Sequence, residues 1–484
     1  MPSTSNGQSK SDPIKHVILL MLENHSFDQM LGDLKQVYPE LEGVDRNKLQ
    51  ANPDGKGNQV AQSPMRETQM VNDPSHETVD VLEQLSNGNR GFVSNFLKHF
   101  PQASAKEQQA IMGFYPIDFL PALHPLAKNY TICDHWFSSL PGPTWPNRFF
   151  ALSGTTRGMV KMPAGLNDLQ MVEDQTQDTI FDRLDERGRT WNIFYYDFPS
   201  SVILKRQRES AKRDKYRTID HFFTACADSP SSLPEFCLIE PKYFGFDQND
   251  DHPPHNVMKS QKLIADVYNA LRSNDELWES CLLVICYDEH GGFFDHVVPP
   301  KAVPPDEFTT EYTFDQLGLR VPALLVSPWV KAGVEKSIFD HTSLLKYLVE
   351  KWNLSPLGER VTAATSIGTG LQSEMRENAM PLAIRVSFSS LASEHPEWEL
   401  TDLTKHHLAI MAFLEDAASH MDGLGIEEEG LRAFGWFGSI RTWLGRVLIK
   451  FGRYLCVTPL NKRSDAVEVV TRRLLATDVH THGG

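Results

Sequence analysis

No C-x-x-C pair occurs anywhere in the chain, so zinc-finger and thioredoxin-type readings have nothing to rest on. No apolar run approaches the roughly 20 residues of a membrane span. Residues 1–13 are polar and Ser-rich, without the apolar centre of a signal peptide, and Val17–Leu22 is too short to serve as one. The segment reads as a disordered N-terminus. The expectation is a soluble chain, cytoplasmic or exported by a route other than a cleaved N-terminal signal. Positive charge is also short: 47 Lys and Arg face 63 Asp and Glu, a net charge of -16. That balance argues against a general nucleic-acid binder, which presents a basic face. Internal repeats and low-complexity tracts are missing too.

What the 484 residues do contain is an ordinary globular mixture, 40% hydrophobic and 23% charged, enough for a sizeable core. Four apolar runs stand out: Lys15–Leu22, Cys281–Tyr287, Pro322–Ser327 and Trp191–Tyr196. Continuous apolar runs of this length mark strands buried on both faces. Helical stretches such as Ser260–Ser273 and Thr342–Trp352 lie between them, so the expected fold is α/β, a largely parallel sheet with helices on both faces. Residues 45–75 and 200–235 read as irregular surface excursions. Cys281 and Cys286 flank an apolar strand as core residues; a reducing compartment fits best, with a Cys226–Cys237 disulfide as the alternative. The boundaries drawn are a catalytic domain over 14–360 and a mainly helical extension over 361–484.

Ligands of open parallel sheets bind beyond the carboxyl ends of the strands. The first run ends in Glu23-Asn24 and the second in Asp288-Glu289-His290-Gly291-Gly292. Any one of these acids alone would be a helix cap. Three of them at one edge repel unless protonated or joined by a cation, and oxygen-rich sites favour divalent metals. Glu23, Asp288 and Glu289 are therefore candidate ligands.

Leu140–Phe150 (LPGPTWPNRFF) predicts a turn followed by a helix to about Gly154, with Thr144 at or next to its N-cap. Capping is the ordinary fate of a threonine there. A helix N-terminus also attracts phosphate, and a metal-activated hydroxyl in that position can attack phosphorus. Asn147 is placed to donate to a phosphoryl oxygen, whereas Arg148 reads equally as an ion-pair partner. His76, His252, His255 and His341 sit in turns rich in Asp and Pro, and Asp251 stands four residues before His255, a spacing suited to metal ligands. His406, His407, His480 and His482 read as surface histidines.

Together, residues 16–32 (HVILLMLENHSFDQMLG), 143–148 (PTWPNR) and 287–300 (YDEHGGFFDHVVPP) closely resemble one family, with 249–254 (NDDHPP) and 339–343 (FDHTS) as further matching blocks. The chain is similar, from about residue 14 to 355, to bacterial phosphoesterases that include phosphatidylcholine-hydrolysing phospholipase C and a respiratory-burst-inhibiting acid phosphatase. These belong to the alkaline-phosphatase-like superfamily. The resemblance implies that Glu23, Asn24, Asp288 and Glu289 hold a divalent metal, with zinc implied for the phospholipases C. It puts Thr144 in the place of the nucleophile. His76 and His252 match histidines that stabilise the phosphate or protonate the leaving group, and His341 stands where relatives carry a further metal ligand. His255 falls where family members vary. The implied substrate is a phospholipid or another phosphate ester.

One segment points to a surface. Residues 432–455 carry Phe434, Trp436, Phe437, Trp443 and Phe451 interleaved with Arg432, Arg441, Arg446, Lys450 and Arg453, and no acid lies between Gly430 and Arg463. A basic, Trp-bearing amphipathic segment is what an interfacial helix carries, so a membrane surface is its expected partner. A helix packed on the catalytic domain with its basic face solvated is the alternative.

Overall fold

A computed structural model describes residues 12–165, 168, 170–245, 247–377, 383–395 and 404–422. The membrane-facing expectation for 432–455 lies outside them, as do residues 423–431 and 456–484 of the extension. Among the described residues, no helix is long and apolar enough to cross a membrane.

The longest apolar runs become the centre of the sheet. His16–Leu22 (β1) and Cys281–Tyr287 (β6) are buried at every position, which requires cover on both faces. Between and after them come Thr131–Cys133 (β2), Trp191–Tyr195 (β3), Tyr216–Thr218 (β4), Phe236–Glu240 (β5), Ala323–Val326 (β7) and Gly333–Glu335 (β8). The eight strands lie in the order β8-β2-β7-β6-β1-β5-β3-β4. All neighbours run parallel except β7, which is antiparallel to both β6 and β2. The α/β expectation holds, with one reversed strand at 323–326.

Register fixes where the chemistry emerges. Leu22 pairs with Tyr287, so Glu23 and Asp288 leave the sheet side by side. On the other flank of β1, Leu20 pairs with Ile239, which brings Glu240 to the same edge. Each fully buried Leu or Ile in these strands contributes roughly 1.5–3 kcal/mol relative to exposure. The edge is therefore held by a rigid base.

The helices used below are Phe27–Leu31 (α1), Thr78–Gln84 (α2), Thr144–Ser153 (α3), Val257–Arg272 (α4), His341–Trp352 (α5) and Lys405–Asp422 (α6). The stretch 200–235 is no mere excursion: it supplies edge strand β4 and the helix Ile219–Ala227, and Val202, Ile203 and Leu204 are fully buried. Cys226 and Cys237 are free thiols in the core, as are Cys133, Cys281 and Cys286, so the disulfide alternative falls.

Behind the edge, a buried charge network ties α1 to the chain after β6. Arg320 donates to Asp28 Oδ1 at 3.0 Å and to Asp295 Oδ1 at 2.9 Å. His296 Nδ1 donates to Asp28 Oδ2 at 2.8 Å, and its Nε2 lies 3.2 Å from Glu42 Oε1. Asp28, Asp295 and His296 have the donor atoms of a metal site. Arg320 and a protonated His296 already neutralise the two aspartates, so no further cation is called for. Burial opposes charge on His296, but Asp28 outweighs it and the imidazole is raised to about 9. A raised imidazole contributes stability that is complete below its unfolded value near 6.5 and is lost as pH climbs through about 9. Thermal melts should therefore fall between pH 6.5 and 9, by up to about 3 kcal/mol from this group. His296→Gln should flatten that slope, and an unchanged slope would remove His296 as its source.

Candidate active site

Arg148 organises the carboxyl edge. It sits one turn into α3, is 3% exposed, and spreads its guanidinium over the ends of three adjacent strands. Its nitrogens lie 3.1 Å from Glu23, 3.0 Å from Asp288 and 3.0 Å from Glu240. Of the two sequence readings, the ion pair is the one observed. The Coulombic reason for a metal, three uncompensated acids, thereby weakens for Glu23 and Asp288, because a side-chain cation already stands between them. Burial pushes Glu23 up to about 8 and Asp288 up to about 7, with Arg148 pulling both back.

Glu289 turns away from that cation. Gly291, at φ 64, lets the loop after β6 close on β1: a Cβ there would stand 2.1 Å from Asn24 O. The Gly291 amide donates to Glu289 Oε2 at 2.7 Å. Oε1 faces His76 Nε2 at 3.8 Å, and the Asn24 side-chain amide lies 3.5 Å from the same nitrogen. His76 donates its Nδ1 proton to Pro74 O at 2.8 Å, and His252 donates its own to Pro253 O at 2.7 Å. In both rings Nε2 is left with a lone pair. Burial holds both imidazoles down to about 4. The rings stand 5.8 Å apart, edge to face, and Asp73 joins them in a group whose ligand atoms lie within 4.8 Å of one another.

This corner holds buried polar atoms without a hydrogen-bond partner: Asn24 Oδ1, Asp73 Oδ1, His252 Nε2 and Glu289 Oε1. Buried polar atoms are almost always satisfied, so a concentration of four marks a place built to meet something else. All four are acceptors or lone-pair bearers. Carboxylate, amide oxygen and imidazole nitrogen form a donor set that fits a divalent cation.

Helix α3 runs from Thr144 to Ser153, with Pro143 as N-cap and Gly154 in the left-handed region behind it, the boundaries expected from the sequence. Thr144 is the first helical residue and so does not perform the capping role. It precedes Arg148 by four residues and shares its face, the face turned to Glu23 and Asp288. Asn147 differs from the expected phosphate donor. Its Oδ1 accepts from the Leu140 amide at 3.1 Å, and Nδ2 donates to the carbonyls of Gly142 at 2.9 Å and Pro143 at 3.2 Å. Both ends of the amide are used to brace the turn that carries Thr144.

Three further expectations meet a different geometry. Asp251 Oδ2 accepts from Tyr287 at 2.6 Å, whereas His255 Nδ1 lies 2.5 Å from Asp250 Oδ1. Asp251 and His255 thus turn to separate partners, and among the described residues they are not gathered as ligands. His341 donates from Nε2 to the Asp288 carbonyl at 2.7 Å and accepts at Nδ1 from Trp136 at 3.3 Å. No lone pair remains on it for a metal; it orients the Asp288 backbone instead.

Sequence reading missed Asp73, Glu240 and two histidines. His406 and His407, read as surface residues, are 2% and 4% exposed. They enter the site from the first turn of α6, His406 on Glu23 and His407 on the Tyr243 carbonyl at 2.6 Å. Adjacent histidines on a helix carry no periodic signal. Asp73 had one, its place three residues before His76 in a Pro-containing turn.

The Phosphoesterase family pattern matches residues 14–355. The chain is 34% identical over 391 residues to non-specific phospholipase C3 of Arabidopsis thaliana, covering 73% of this chain and 72% of that protein. It is 29% identical over 395 residues to phospholipase C B of Mycobacterium tuberculosis, covering 69% and 72%. Among solved structures it is similar to a protein in the alkaline phosphatase superfamily from Vibrio parahaemolyticus, with a TM-score of 0.33 and 10% identity over 74% of this chain and 72% of that one.

Proposed function

The chain belongs to the Phosphoesterase family, and on that premise we propose that this phosphoric ester hydrolase is a metal-dependent phospholipase C with Thr144 as nucleophile. One observation carries the reading. The first turn of α3 is clamped by Arg148 to the ends of three strands, beside four buried acceptor atoms without partners. The substrate class is supported by relatives named phospholipase C, and phosphatidylcholine is the first lipid to try.

The cation, zinc in the first instance, would be held by Glu23, Asn24, Asp288 and Glu289. Bound there, it supplies charge that favours the deprotonated Thr144 hydroxyl and screens the phosphoryl oxygens. The chain's own groups do the rest. Thr144 Oγ1 attacks phosphorus while the bond to the diacylglycerol oxygen breaks, leaving the phosphorylated head group on Thr144. The positive end of the α3 dipole favours the phosphoryl group. His76 and His252 present Nε2 to the same region, and the anionic substrate favours their protonation, so that one of them passes a proton to the departing oxygen. Water then attacks phosphorus, the bond to Thr144 Oγ1 breaks and that oxygen regains a proton, and the phosphorylated head group leaves.

The test is hydrolysis of phosphatidylcholine vesicles and of a soluble phosphomonoester, each before and after chelation and with zinc restored. Diacylglycerol release that falls at least about tenfold on chelation and returns with zinc is expected. Turnover of the monoester alone would make the protein a phosphatase. Full activity after complete metal removal would reject the cation.

A further inference from the structure

The matched family region ends at residue 355, yet the site does not. Helix α6 begins at Lys405, and its first turn touches the site at three points. Lys405 Nζ lies 3.6 Å from Glu77, the neighbour of His76. His407 and Thr404 form a reciprocal cap: the Thr404 hydroxyl accepts from the His407 amide at 3.1 Å, and His407 Nδ1 accepts from the Thr404 amide at 3.3 Å. That cap sets the tautomer of His407, which leaves its Nε2 proton for the Tyr243 carbonyl.

Between these anchors His406 is driven into the catalytic edge. Its Nδ1 lies 2.9 Å from Glu23 Oε1 and 3.0 Å from Oε2. The ring stands edge-on between Tyr243, 4.8 Å away, and Trp145, 6.3 Å away and next to Thr144 in the chain. Tyr243 in turn donates to Glu240 at 2.7 Å, the third carboxylate on Arg148. Glu23 is thus gripped from two sides, by Arg148 within the family region and by His406 from outside it.

We infer that His406 is a positioning residue of the reaction site, which holds the Glu23 carboxylate at a fixed angle for the cation and makes the first turn of α6 part of the catalytic unit. The mechanism is the usual one by which a hydrogen bond from outside the ligand ring orients a carboxylate ligand. The inference rests on the metal site proposed above.

The test uses the full chain and four proteins: wild type, His406→Ala, His406→Asn, and Leu408→Ala as a control on the exposed side of the same turn. Zinc affinity by competition titration, turnover of phosphatidylcholine and the thermal melt are measured for each. His406→Ala should lose about 10–100-fold in zinc affinity and turnover, with a melt close to that of Leu408→Ala. Asparagine carries an N–H donor near the position of Nδ1, so His406→Asn should recover most of both. Wild-type zinc affinity and turnover in His406→Ala overturn the inference, as does a folded His406→Asn no better than His406→Ala. If His406→Ala does not fold, His406→Asn against Leu408→Ala decides on the same readings. A wild-type chain that binds no zinc instead strikes the metal site itself, and the role of His406 is then judged on turnover and the asparagine rescue.

Discussion

Thr144→Ala should abolish turnover, by on the order of a thousandfold or more, while the protein remains folded. The two parts of that expectation come from different observations. Thr144 is the first residue of α3 and the cap position belongs to Pro143, so the loss of about 1 kcal/mol that follows removal of a capping hydroxyl does not apply. The turn before the helix is braced by Asn147, through bonds to Leu140, Gly142 and Pro143 that do not involve the threonine side chain. Stability should therefore shift little, and a thermal melt checks it. The chemistry has no such reserve, because a nucleophile that forms the phosphoenzyme leaves no covalent route when it is removed. Thr144→Ser keeps a hydroxyl on a side chain with more rotamer freedom and should retain a part of the rate. Turnover of Thr144→Ala near wild type, with a normal melt, would place the nucleophile elsewhere.

The fold was largely legible because its central strands are continuous apolar runs. His16–Leu22 and Cys281–Tyr287 are buried at every position, and a run buried on both faces is the pattern local sequence displays most openly. The bounds of α3 were legible for a different reason. Proline before it and glycine after it act through backbone geometry, which needs no tertiary partner. What a strand pairs with is another matter. Ala323–Val326 looks like any buried strand, and only its neighbours make it antiparallel. Phe236–Glu240 went unread as a strand because five residues after a polar stretch are too few to display a period.

The site divides in the same way. Glu23, Asn24, Asp288 and Glu289 could be placed at one edge because they follow legible strands. His341 and Asn147 were found as residues but not as roles, since the role depends on partners far along the chain. The bond from His341 to the Asp288 carbonyl crosses 53 positions, and that from His406 to Glu23 crosses 383. A residue type says which contacts are chemically open to it; only the fold says which have already been made.

Arg148, whose ion-pair role was one of the two sequence readings, carries the second large effect. Arg148→Met should cost about 3–5 kcal/mol of stability, because it leaves Glu23, Asp288 and Glu240 buried beside one another without their shared cation. Arg148→Lys should recover only part of this. An ammonium is a single point of charge, whereas the planar guanidinium presents separate nitrogens to three carboxylates. Loss of packing is the competing explanation, since the side chain also lies 5.8 Å over the Tyr243 ring. Glu240 separates the two. It lies outside the proposed metal set, and Ser200 and Tyr243 also bond to it, each at 2.7 Å. In the wild-type background Glu240→Gln removes a charge that Arg148 uses and should destabilise. In the Arg148→Met background it removes a charge that nothing balances, so it should cost less there or raise the melting temperature. Urea unfolding of the two single variants and the double variant reads the difference directly. If the two losses simply add, the guanidinium is not compensating Glu240, and packing on Tyr243 becomes the better account of what Arg148 does.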